Sequence, residues 1–114
     1  MVISKNDLKN ILEQWKNGSI GSEEVHKWAE DRYAVSGWET DNEVTNEVLA
    51  ELDMLNMNLL IKEDADFLLE ILNDPSIITG EQAAAKLEEF HGKIDMNKRK
   101  RELSSDPLYA PFCK

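Results

Sequence analysis

Apolar residues return at helical spacing in successive stretches of this chain, and each stretch is bounded by residues that start or stop helices. Leu8, Ile11, Leu12 and Trp15 define one face of a first helix over residues 6–17. Ser4 with Asp7 three positions on fits a capping box at its start, and Gly18 is suited to the left-handed conformation at its end. Val25, Trp28, Ala29 and Tyr33 mark a second helix that follows Gly21-Ser22 and stops near Ser36-Gly37, with Ile20 placed as a hydrophobic staple against Val25. The third opens at Thr40 or Asp41, where Thr40 and Glu43 fit a capping box. Its stripe of Val44, Val48, Leu52, Leu55 and Leu59 predicts the longest helix of the chain.

Lys62-Glu63-Asp64 puts acids where a new helix start favours them, and a fourth helix carrying Ala65, Leu68, Leu69 and Leu72 ends at Asp74-Pro75. Thr79 and Gln82 cap a fifth, with Ala83, Leu87, Phe90 and Ile94 facing inward and Gly92 ending or interrupting it. Asp95 caps a short sixth helix through Leu103, after which Ser104-Ser105-Asp106-Pro107 breaks the pattern and a second proline, Pro111, excludes further helix. No stretch alternates between apolar and polar residues, so no sheet is expected. The predicted fold is all-α: one domain over residues 1–114, a compact bundle of five to six short helices with an irregular tail at residues 103–114.

With 41% hydrophobic and 32% charged residues the chain is too apolar for intrinsic disorder. Its longest apolar runs, such as Leu59-Leu60-Ile61, fall far short of the ~20 residues that cross a bilayer, so neither a membrane span nor a signal peptide is expected. The single cysteine, Cys113, excludes an intramolecular disulfide, and a reducing cytoplasm is the expected compartment.

Charge sharpens this picture because the net of −10 is unevenly spread. Residues 1–21 carry three lysines against two acids, and residues 71–114 carry seven of each sign. The whole excess lies in residues 22–70, where fourteen acids face only Lys27, Arg32 and Lys62. Such a segment repels nucleic acid and anionic lipid, and it speeds encounter with a basic protein. Trp38 follows Gly37 amid Glu39, Asp41 and Glu43, and has two readings: an exposed anchor rimmed by acids, or a core residue folded over the end of the bundle.

Motifs for chemistry are weak. Glu23 with His26 and Glu88 with His91 repeat the Glu-x-x-His spacing of di-metal helical bundles, yet helical geometry puts both glutamates on outward faces. Cys113 stands one residue from the last, a poor place to hold a nucleophile rigid. Asp64-Ala65-Asp66 begins like a calcium loop but lacks its glycine and distal glutamate. Lys98-Arg99-Lys100-Arg101 is the only basic cluster, and pairing with carboxylates of neighbouring helices suits it better than nucleic acid does. No catalytic residue, metal site or cofactor is expected, and the chain is not expected to be an enzyme.

The run Trp15-Lys16-Asn17-Gly18-Ser19-Ile20, followed by Glu24-Val25-His26-Lys27-Trp28-Ala29-Glu30, resembles small, acidic, helical bacterial immunity proteins of contact-dependent inhibition and polymorphic toxin systems. The resemblance covers about residues 8–72 and is one of style. It implies binding to a toxin domain, often a basic nuclease, whose active site is blocked by a negatively charged face. The charge pattern and this resemblance together predict a cytoplasmic protein-binding module with a basic toxin or nuclease domain as partner. Its expected contact residues are Glu30, Asp31, Trp38, Glu39, Asp41, Glu43 and Glu47. The alternative is a structural or regulatory helical protein that forms a homodimer through the Val44 to Leu59 stripe.

Overall fold

A computed structural model describes residues 2–33 and 39–114. Six α-helices account for most of the described residues: α1 (Lys5–Lys16), α2 (Ser22–Tyr33), α3 (Glu43–Asp53), α4 (Ala65–Asn73), α5 (Gly80–Lys93) and α6 (Met96–Leu103). The all-α bundle of short helices is thus the observed architecture. Two-residue strands β1 (Val2–Ile3) and β2 (Glu39–Thr40) and short 3₁₀ turns at Lys62–Asp64 and Ala110–Phe112 complete it.

Helix α3 is the centre of the bundle, packing against α1, α2, α4 and α5, while α1 also lies along α4. Leu8, Leu12 and Trp15 of α1, Val25 and Ala29 of α2, Val48 and Leu52 of α3, Leu68 and Leu72 of α4 and Ala83 and Leu87 of α5 meet in one buried cluster. Each fully buried leucine contributes on the order of 1.5–3 kcal/mol, so packing rather than helix propensity holds these short elements together.

The punctuation read from the sequence is present at four helices. The Ser4–Asp7 box closes α1 and the Thr79–Gln82 box closes α5, each with both reciprocal hydrogen bonds, and the Asp95 carboxylate accepts from Lys98 N at 3.0 Å ahead of α6. Gly18, at φ 82°, ends α1 in a Schellman motif, with Ser19 N bonded to Gln14 O and Gly18 N to Trp15 O. Asp74 follows the last residue of α4, and α5 runs through Gly92 to Lys93.

Four expectations are corrected. The third helix is not the longest; it ends at Asp53, and α5, with 14 residues, is longer. One further closed turn, with Asn58 N bonded to Met54 O at 2.9 Å, leads to a second Schellman motif in which Leu60 N reaches Leu55 O and Leu59 stands at φ 54°. A left-handed leucine costs about 1–2 kcal/mol, which burial of its fully enclosed side chain offsets. Leu55 and Leu59 are therefore buried as their periodicity predicts, although the backbone beneath them is not continuous helix.

Secondly, the cap of α3 is Asn42, whose side chain accepts from Thr45 N at 2.9 Å. Thr40 is instead a strand residue: Val2 pairs with Glu39 and Ile3 with Thr40 in a parallel register, and Asp41 N donates to Ile3 O. This small pairing is the third correction, since no sheet was expected; two-residue strands are too short to leave an alternation in the sequence. Tyr33, expected on the inner face of α2, is 47% exposed. The expected end of α2 near Ser36-Gly37 lies outside the described residues.

The C-terminal segment folds back on the bundle. Arg99 of α6 makes a bidentate ion pair with Asp64, at 2.7 and 3.0 Å, and its Nη1 also donates to Leu59 O at 3.1 Å. Tyr109, 2% exposed, donates its hydroxyl to Leu60 O. Both carbonyls of the left-handed turn are thereby held by residues that follow α5. Burial pushes the Tyr109 phenol up to about 12, because ionisation there would place a charge among apolar neighbours.

Candidate functional site

The acidic segment is distributed over α2, β2, α3, the 3₁₀ turn at Lys62–Asp64 and α4, and its carboxylates divide by what holds them. Asp64 and Glu51 are buried. Asp64 is tied to Arg99 and accepts from Ile61 N at 2.8 Å. Glu51 accepts from His91 of α5 and from Asn58 Nδ2. These two are structural charges, satisfied within the chain as buried charges must be.

A second group sits at helix starts. The Asp41 carboxylate accepts from Lys5 N, the first residue of α1, at 2.9 Å, and Glu43 Oε1 accepts from Gly80 N, the first residue of α5, at 3.2 Å. Negative charge at these positions complements the positive end of each helix dipole. A Cβ on Gly80 would lie 3.3 Å from Glu43 Cβ and 3.5 Å from Glu47 Oε1, so a glycine is what lets α5 approach α3 this closely. Thr40, Asn42, Glu43, Asn46, Glu47 and Gly80 line a shallow polar cleft of about 480 Å³ at this junction. Three of the residues expected to bind a partner, Asp41, Glu43 and Glu47, therefore also stand where the helices meet.

The third group faces solvent. Glu23, Glu24, Glu30 and Asp31 are exposed on α2, Glu39 on β2, Glu63 on the 3₁₀ turn, and Asp66 and Glu70 on α4, where Asp66 pairs with Lys16. Among the described residues, none of Glu23, Asp31 and Glu39 has an ion partner. Glu30 stands 3.9 Å from His26 Nε2, and that nitrogen donates to Asp53 O at 3.0 Å. Burial holds the Asp53 carboxyl above the ordinary carboxylate range, with His26 pulling it down and Glu30 pushing it up. Trp38, the expected hydrophobic anchor, lies outside the described residues.

The other expectations also find their places. Glu23 and Glu88 of the two Glu-x-x-His pairs are exposed, while the imidazoles of His26 and His91 turn to Asp53 O and Glu51. Among the described residues no group of three or more His, Cys, Asp or Glu converges as metal ligands would. Of the basic cluster, Arg99 is the internal clamp described above and Lys98 reaches Glu102 on its own helix at 3.8 Å. The Val44 to Leu59 stripe is filled from within: Val44, Val48, Leu52, Leu55 and Leu59 all belong to the core. A homodimer would need some other surface. No described helix is long and apolar enough to cross a membrane.

At the end of α3, His26 and Glu30 of α2 lie beside Asp53, and the exposed Met54 and Met57 follow on the next turn of the chain. The only sequence signal for this arrangement was Met54 and Met57 falling off the apolar stripe, which in a continuous helix reads as ordinary surface. No family model, curated protein or solved structure matches the chain.

Proposed function

We propose that this chain is a non-enzymatic protein-binding module of the bacterial cytoplasm, an immunity-type inhibitor that neutralises a basic toxin or nuclease domain. One observation carries the reading: fourteen acids against three bases in residues 22–70, with ten of the acids exposed, four of them together on α2 and a fifth on β2. A face of this kind presents carboxylates where a nuclease expects phosphates, and it draws a cationic partner in by long-range attraction.

Carboxylates at helix starts hold the fold as well as carrying charge, so the cleanest perturbation uses Glu30, Asp31 and Glu39. The test recovers the partner by affinity purification from the native host and follows its association with the chain as salt is raised. Association slows steeply with salt, and reversing Glu30, Asp31 and Glu39 to lysine weakens binding by at least about tenfold, the loss falling mainly on the association rate. Binding indifferent to both changes would refute the proposal.

A further inference from the structure

Large apolar side chains stand exposed at few places among the described residues. Val2, Tyr33 and Ile78 do so singly, whereas Met54 and Met57, 41% and 51% exposed, lie three residues apart on the closed turn that follows α3. Methionine is flexible and polarisable, and it suits a surface that must adapt to an apolar guest.

The surroundings of this pair are negative. Asp53 precedes Met54 directly, and its carbonyl oxygen is the one that His26 holds at 3.0 Å. Through the same imidazole, Glu30 of α2 is brought alongside, 3.9 Å from Nε2. The last turn of α3 contains no basic residue, so the negative end of its dipole is not offset from within the helix. Lys27 is the cation next to this cluster in sequence, and α2 and α3 together still carry eight acids against Lys27 and Arg32. An apolar pair set among carboxylates and a helix carboxyl end is complementary to a polypeptide with an apolar anchor between positive charges.

We propose that Met54 and Met57 seat the apolar anchor of a cationic polypeptide segment, whose flanking lysine or arginine side chains pair with Glu30 and Asp53. The inference rests on the acidic-face reading and places the centre of contact at the end of α3 rather than at Glu39 of β2.

Two synthetic lysine–leucine peptides of identical composition test it, one with all leucines on a single helical face and the other scrambled. Their affinities for the full-length chain are measured by fluorescence anisotropy. The native chain binds the facial peptide at least about tenfold tighter than the scrambled one, a difference of roughly 1.4 kcal/mol. M54S/M57S removes that preference, M54L/M57L keeps it, and E30Q/D53N weakens both peptides; circular dichroism verifies that each variant is folded. Equal affinity of the native chain for the two peptides, or a preference that survives M54S/M57S, overturns the placement. Loss of binding with D31N/E39Q but not with E30Q/D53N also overturns it, while leaving the acidic-face reading in force. If neither peptide binds the native chain, both fall.

Discussion

Replacing Arg99 by alanine strips Asp64 of its counter-ion while the carboxylate stays buried. The Asp64 side chain is 5% exposed and that of Arg99 17%, so the carboxylate loses its partner in a largely water-excluded joint between α6 and the 3₁₀ turn at Lys62–Asp64. After the change Asp64 retains only the Ile61 N–H at 2.8 Å, and Leu59 O loses its donor as well. Breaking one side of a buried pair costs about 3–5 kcal/mol. A domain of this size is stable by roughly 5–15 kcal/mol, so the loss takes a large share of the total. With an m-value of about 2 kcal/mol/M, the urea midpoint should fall by roughly 2 M. Circular dichroism during urea titration measures it, with Lys98→Ala as the comparison on the same helix. Lys98 is 62% exposed and 3.8 Å from Glu102, a surface pair worth at most about 1 kcal/mol. The reasoning is refuted if R99A unfolds within about 1 kcal/mol of the native chain, or if K98A is as damaging.

Other changes probe the remaining contacts. Tyr109→Phe leaves Leu60 O without its donor and should cost about 1–2 kcal/mol in the same titration. The phenol is protonated in the folded chain up to about 12 but ionises near its ordinary value of 10.0 when unfolded. Its contribution is therefore complete below 10 and is lost as pH rises towards 12, so tyrosinate absorbance should appear together with unfolding in that window, and Y109F should lack this component. Asn42→Ala should cost about 1 kcal/mol as loss of a helix cap, and Thr40→Ala clearly less; the reverse order would restore Thr40 as the cap. His91→Ala leaves Glu51, 7% exposed, with Asn58 as its remaining side-chain partner, for an expected loss of about 1–3 kcal/mol; an unchanged midpoint would show that the pair between α3 and α5 carries no stability.

Helix class and order were legible because local signals agree with the tertiary fold. Leu8, Leu12 and Trp15 recur on one face, and Ser4, Thr79 and Asp95 cap the helices they precede. The break after Asp53 was hidden because the side-chain period continues through Leu55 and Leu59 while the backbone leaves the helix at a left-handed leucine, a position usually filled by glycine. The strand pair joins residues 37 positions apart, and nothing local announces it. Charge was legible as a sum but not as a surface: Asp41 and Glu43 serve the starts of α1 and α5, and Glu51 and Asp64 are interior, each because of a contact 35 or more residues away. What the sequence located was the segment; which acids remain outside could be read only once the helices were assembled.

The central claim, that the outward acids of α2 and β2 receive a basic partner, is tested most directly by one rate. That rate is the association of the native chain with its affinity-purified partner, compared with that of the E30K/D31K/E39K variant at low and at high salt. The account predicts fast association at low salt, a loss of at least about tenfold on charge reversal, and convergence of the two proteins as salt screens the field. Equal rates at low salt would contradict it.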